Sequence, residues 1–155
     1  NWFVYECVSL HAVFQWFEDL EGTLHRYRDI LRPAGRVTFS FYGPGTFREL
    51  DRALRSASCG EMRVTAADFV DKAEIARLLA DTFHQYSVEE RSYVREFRSL
   101  RELLRCIKYT GTRGTENCIS TSWSPRVLAR TRKAYHDSGN GIRATYQVFL
   151  CRGGL

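Results

Sequence analysis

The sequence predicts an α/β fold, and three observations carry that expectation. An aromatic, β-branched run at residues 2–10 has Glu6 as its one charge, an amphipathic stretch follows at 20–31, and a second apolar run, VTFSFY, fills 37–42. Strand, helix and strand in that order form a βαβ unit, whose two strands should be parallel neighbours in a sheet covered on both faces.

The elements can be justified in order. The first run suits a strand buried on both sides. In 20–31, Leu20, Leu24, Tyr27 and Leu31 recur at helical spacing, while Glu18, Asp19 and Glu21 suit the positive N-terminal end of a helix. Pro33-Ala34-Gly35 should stop that helix. The strand at 36–42 closes in Gly43-Pro44-Gly45. Thr46, with Glu49 three residues on, fits a capping box for a helix over 47–57. Ile75, Leu78, Leu79 and Phe83 mark a helix over 71–83, and Tyr93, Val94 and Phe97 suggest a strand over 86–97. Leu100, Leu103, Leu104 and Ile107 mark a further helix. The Thr-, Gly-, Asn- and Ser-rich stretch 110–124 reads as a loop, Pro125 opens a helix running to Tyr135, and DSGNG at 137–141 is a turn. ATYQVFLC at 144–151 is the last strand, and the late strands suit an antiparallel end of a doubly wound sheet. No repeat or composition break divides residues 1–155, so a single domain is expected.

A hydrophobic content of 44% and 26% charged residues are those of a domain able to bury one core. No apolar run reaches the roughly 18 residues of a membrane span, so a soluble, cytoplasmic protein without a membrane partner is expected. Asn1 is followed at once by the aromatic run, as in a cut through a longer chain. Cys7, Cys59, Cys106, Cys118 and Cys151 are scattered without a CxxC pair; they read as free thiols, with neither a metal site nor a disulfide framework. Charge is uneven: residues 1–88 hold 10 Lys/Arg against 12 Asp/Glu and residues 89–155 hold 13 against 6, so a balance of −2 precedes one of +7. That asymmetry means either an acidic partner or a solvated arginine face. No clustered basic and aromatic motif points to nucleic acid.

Three stretches resemble one family. HAVFQW at 11–16, then LRPAG at 31–35 and VTFSFYGPGTFREL at 37–50, are similar to the ALQW, LKPGG and FGPGTLREL of the malonyl-carrier-protein O-methyltransferases of biotin synthesis. LLRCIKYTGT at 103–112 resembles that family's inserted helix, and ATYQVF at 144–149 its terminal strand, PATYEV. The resemblance implies the later part of a Rossmann-like class I methyltransferase sheet, without the glycine-rich turn that holds S-adenosylmethionine. It implies methyl transfer from that cofactor to the free carboxylate of a malonyl thioester on acyl carrier protein. A non-catalytic module that docks a carrier or partner chain is the alternative, discriminated by the absent cofactor turn.

On the same grounds Leu10, His11, Gln15 and Trp16 are expected beside the cofactor, although His11 could equally cap a helix and Trp16 anchor the core. Gly43, Gly45, Thr46, Arg113, Arg143 and Tyr146 are expected on the substrate side. Among Arg113, Arg126 and Arg143 the sequence does not choose a carboxylate reader, and Tyr146 suits core packing as well. Residues 98–135 are expected to form a substrate-side cap, with Arg98, Arg101, Arg105 and Lys108 as a stripe facing the acidic carrier. A carboxylate is already ionised, so no catalytic base is expected.

Overall fold

A computed structural model of the chain describes residues 5–11, 19–109, 124–137 and 141–155. In chain order these form β1 (Tyr5–His11), α1 (Leu20–Asp29), β2 (Leu31–Tyr42), α2 (Arg48–Ala57), a 3-10 turn (Thr65–Asp68), α3 (Lys72–Thr82), β3 (Gln85–Phe97), α4 (Leu100–Tyr109), α5 (Pro125–Asp137) and β4 (Ile142–Gly154). The sheet order is β1-β2-β4-β3. β1 and β2 are parallel, as the βαβ reading requires, and β4 runs antiparallel to β2. Among the described residues no helix is long and apolar enough to cross a membrane.

The chain divides into two compact units. The first comprises Asn1–Gly43, Val70–Arg91 and Val148–Leu155. Within it β2 turns Val37, Phe39 and Phe41 to the core, where they meet Phe149 and Cys151 of β4, Leu24 of α1 and Ile75, Leu78 and Leu79 of α3. Phe41 and Phe149 meet edge to face at 5.3 Å, a favoured aromatic geometry. Burial pushes the Cys151 thiol up to about 12, so it remains protonated and inert at neutral pH. Asp19 caps α1 through a bond from the Gly22 N–H at 2.8 Å, and Asp71 caps α3 through the Glu74 N–H at 2.9 Å.

LRPAG behaves differently from expectation. α1 ends at Asp29, and the motif is a bulge inside β2 instead of a helix stop at Leu31. Tyr5 pairs with Leu31 and Cys7 with Arg36, so residues 32–35 stand opposite Glu6 alone. Buried Leu31 belongs to the sheet's core, which draws the strand back beyond the proline. Ala34 takes the left-handed φ of 64° that the bulge needs. A Cβ on Gly35 would lie 2.7 Å from the Arg32 carbonyl oxygen, so only glycine fits there.

The second unit comprises Pro44–Phe69 and Ser92–Gln147. Its own core gathers Phe47, Leu50 and Ala53 around α2 with Leu100, Leu103 and Ile107 of α4, Tyr135 of α5, and Ile142 and Ala144 of β4. α4 and α5 therefore belong to a packed helical layer with α2.

One contact in the first unit is tight enough to test. A Cβ on Gly153 would lie 2.5 Å from Cδ2 of Phe83, whose buried ring has little room to move. Gly153→Ala should lower unfolding stability by about 1–3 kcal/mol. Chemical denaturation checks this, and an unchanged midpoint would show that the Phe83 ring yields freely.

Candidate functional site

Parallel β1 and β2 both end at the same edge of the sheet, the carboxyl edge at which open α/β sheets bind ligands. Leu10 stands opposite Phe39 and His11 opposite Ser40 at that edge. Leu10 is half-buried and packs on the first unit's core, and Gly43 is buried just beyond β2. Gln15, Trp16 and Arg113 lie outside the described residues. A cavity of about 410 Å³ lined by Gly35, Arg36, Tyr86 and Arg152 sits at the other end of β2, by the bulge, where this fold class does not place its chemistry.

In the second unit the Gly45-Thr46 segment serves β4. The β2–β4 ladder reaches only Tyr42 opposite Val148, while β4 begins six residues earlier, at Ile142. The polar groups of Thr145 and Gln147 find partners in residues 45–49. Phe47 N–H donates to the Thr145 carbonyl at 2.7 Å, the Thr145 N–H donates to Glu49 Oε2 at 2.9 Å, and the Thr145 hydroxyl donates to Glu49 Oε1. Thr46 Oγ1 donates to the Gln147 carbonyl at 3.0 Å and accepts the Gln147 N–H at 3.1 Å. The Gly45 N–H donates to Gln147 Oε1 at 2.6 Å, and a Cβ on Gly45 would sit 2.8 Å from that oxygen.

The expected capping box is therefore not formed. The residue at the N-cap of α2 is Phe47, in the left-handed region at φ 60°, and no side chain caps the helix. Thr46 and Glu49 are turned to β4, because buried strand groups without partners cost more than a solvated helix end. The bare side of Gly45 is filled by the Gln147 amide, and Thr46 is fully buried.

Tyr146 is half-buried; its ring meets Phe47 edge-on at 5.0 Å and its hydroxyl lies 4.0 Å from Cys106 Sγ. The Tyr135 hydroxyl donates to the Arg143 carbonyl at 3.2 Å, and burial followed by the nearby Glu49 charge pushes its ionisation far above the usual range. Burial alone would raise the Glu49 carboxyl, but the bonds from Thr145 and Arg48 outweigh it and hold the group below its ordinary value. Arg143 is exposed and pairs with Glu96 at 2.8 Å.

The expected stripe is partly realised. Arg101, Arg105 and Lys108 are exposed on α4 opposite its buried Leu100, Leu103 and Ile107, whereas Arg98 precedes the helix, its N–H donating to Glu102 at 2.8 Å. The structure adds a second basic surface that sequence patterning does not reveal. α2, α5 and the start of β4 enclose an open concavity of about 880 Å³ that Arg48, Arg52, Arg130, Lys133 and Arg143 line. Its signal is present as Arg48 and Arg52 four residues apart and Arg130 and Lys133 three apart, but nothing in the sequence joins the two helices.

Comparison with known proteins bears out the resemblance read from the motifs. The chain is 30% identical over 141 residues to the malonyl-[acyl-carrier protein] O-methyltransferase of Prosthecochloris aestuarii, covering 90% of this chain and 49% of that protein. It is 32% identical over 148 residues to the enzyme of the same name from Methylococcus capsulatus, covering 92% and 53%. The chain thus spans about half the length of the curated relatives it matches. Among solved structures, the YcgJ protein of Bacillus subtilis shares the fold, with a TM-score of 0.58 at 11% identity over 98% of this chain and 64% of that one. No family model matches. The expected fold class, an α/β sheet with parallel strands at its start and an antiparallel strand at its later end, holds.

The Glu49–Thr145 pair predicts its own pH dependence. A carboxyl held low in the folded state stabilises above its ordinary value of 4.5, and that contribution is lost as pH falls through the folded value. Glu49→Gln should melt lower than the parent at neutral pH, with the gap closing as pH falls below 4.5 and through the folded value. Thr145→Val should cost about 1–2 kcal/mol at neutral pH. Melting curves across that range check both; parallel acid limbs in parent and Gln variant would exclude the carboxylate from this role.

Proposed function

We propose that this chain is the later, substrate-facing half of an S-adenosylmethionine-dependent methyltransferase of biotin synthesis. Its substrate would be the free carboxylate of a malonyl thioester on acyl carrier protein, and its place of work the cytoplasm. The observation that carries the reading is 30–32% identity along nine tenths of the chain to proteins named for that reaction.

The cofactor supplies an electrophilic methyl group on a sulfonium. The carboxylate oxygen forms a new bond to that carbon as the carbon–sulfur bond breaks, leaving a methyl ester and a neutral thioether. Nucleophile and electrophile carry opposite charges that cancel, so a dry, well-oriented pocket serves better than a base. This chain offers part of such a pocket. The end of β1, with Leu10 and His11, and the following residues Gln15 and Trp16 would flank the cofactor's methionine end. The donor set there is compatible with that role, since the carboxyl edge of two parallel strands ends in a buried glycine, Gly43, that lets a ligand approach the backbone. No glycine-rich cofactor turn occurs in the 155 residues, and the longer relatives have about as much chain again in which to carry one.

On the substrate side, Gly45 and Thr46 would act by fixing β4, their polar atoms being engaged by Gln147. Tyr146 and Arg143 would border the acyl pocket together with Arg113, and residues 98–135 would cap it. Arg98, Arg101, Arg105 and Lys108 would face the acidic carrier protein.

Two outcomes are expected. In a coupled assay with S-adenosylmethionine, the protein joined to its cofactor-binding half should esterify malonyl but not acetyl carrier protein; equal transfer to both would remove the carboxylate as acceptor. Arg101→Glu and Arg105→Glu should each weaken carrier binding by about threefold to tenfold at low salt, with the effect fading above roughly 0.5 M. Binding indifferent to charge and salt would place the carrier elsewhere.

A further inference from the structure

We propose that the concavity between α2, α5 and the start of β4 binds a phosphate ester. The inference rests on this surface alone and holds whether or not the methyl-transfer reading does. The cavity, about 880 Å³ and open to solvent, has a floor of small side chains, Ala53, Ala57 and Ala134, so a ligand can settle close to both helices. Five cations line it: Arg48 and Arg52 from α2, Arg130 and Lys133 from α5, and Arg143 from β4. Helical spacing of four and of three residues puts each pair on a common face.

Among the described residues one carboxylate, Glu49, lines the hollow against these five, and both its oxygens accept bonds from Thr145. Arg48 reaches Glu49 at 3.4 Å and Arg143 reaches Glu96 at 2.8 Å, both as exposed pairs that an incoming anion can exchange. Among the described residues, Arg52, Arg130 and Lys133 have no carboxylate within ion-pair distance. Like charges gathered round one hollow repel, and an anion of two charges seated among them relieves the repulsion. Guanidinium forks match the tetrahedral oxygens of phosphate in pairs. An acidic protein segment would add apolar anchoring side chains, and beside the alanines the described lining offers them Val94 as an exposed apolar partner. The phosphate could belong to the arm of a carrier-bound thioester or to a nucleotide; the chemistry of recognition is the same.

Amide resonances of α2 and α5 followed during titration decide the matter, with inorganic pyrophosphate, phosphopantetheine, adenosine bisphosphate and phosphate-free pantetheine as probes. The phosphate-bearing probes should shift these resonances and pantetheine should not. Arg52→Glu and Arg130→Glu should each lower affinity about tenfold, with Arg52→Gln intermediate. These side chains are exposed, and unchanged circular dichroism would verify the fold of each variant. Preference for phosphopantetheine would assign the hollow to a thioester arm, and preference for adenosine bisphosphate to a nucleotide. The proposal is overturned if no phosphate probe shifts α2 and α5, if pantetheine binds as well as its phosphate, if the charge reversals leave affinity unchanged, or if polyglutamate alone binds.

Discussion

The structure depends on how the first half of β4 is satisfied. β4 starts at Ile142, yet its antiparallel ladder with β2 stops at Val148. Strand groups beyond that point are partly buried, and burying a peptide N–H or carbonyl without a partner costs about 1–3 kcal/mol. The Gly45–Glu49 segment takes over where β2 leaves off, with two backbone N–H groups, one hydroxyl and one carboxylate in place of a strand's regular ladder. The unusual features of this segment all follow from its pairing with β4. They are the bare Gly45, the buried Thr46 hydroxyl, the left-handed Phe47 and the depressed Glu49.

Those features also mark the limit of what the sequence can tell. The βαβ start, the helices and the last strand are legible because their apolar periodicity is local and strong, as in α3, where Ile75, Leu78 and Leu79 recur on the buried side. The capping box misleads because Ser/Thr-x-x-Glu is a local signal, whereas the partners that capture Thr46 and Glu49 lie about a hundred residues away. LRPAG misleads for a similar reason: a proline and a glycine mark a break in regular structure, but only pairing with Tyr5 and Cys7 decides whether the break is a helix end or a bulge. β3 forms where its alternation predicts a strand, but burial does not follow that alternation, since nearly all of its residues are exposed. Glu89, Glu90, Arg91, Arg95 and Glu96 instead give it the charged character of an edge strand, which discourages pairing with other chains.

The candidate site is legible only in part. The end of β1 and the GPGT turn can be found because they sit at strand ends in a recognisable order, while Gln15, Trp16 and Arg113 fall outside the described residues. The basic concavity is invisible in the sequence because its two walls come from helices some eighty residues apart, and no pattern within either helix announces the other. The charge imbalance of the later residues hints at it only weakly. Two of the hollow's five cations come from α2, in the half of the sequence with the negative balance.

Glu49 links the two themes. Its carboxylate holds Thr145 in β4 and lines the basic hollow at the same time. Its negative charge offsets part of the positive field on which anion binding depends. Bonded twice to Thr145 it stays ionised at neutral pH, and its charge is felt at Tyr135, so the hollow is positive only because its cations outnumber this acid. The same two bonds anchor the acid to a strand that would otherwise lack partners. Arg48 touches that acid only at 3.4 Å, in an exposed and weak pair, which leaves its guanidinium able to turn toward an arriving anion. The constraint that completes the sheet thus also fixes where this acid stands among the cations of the hollow.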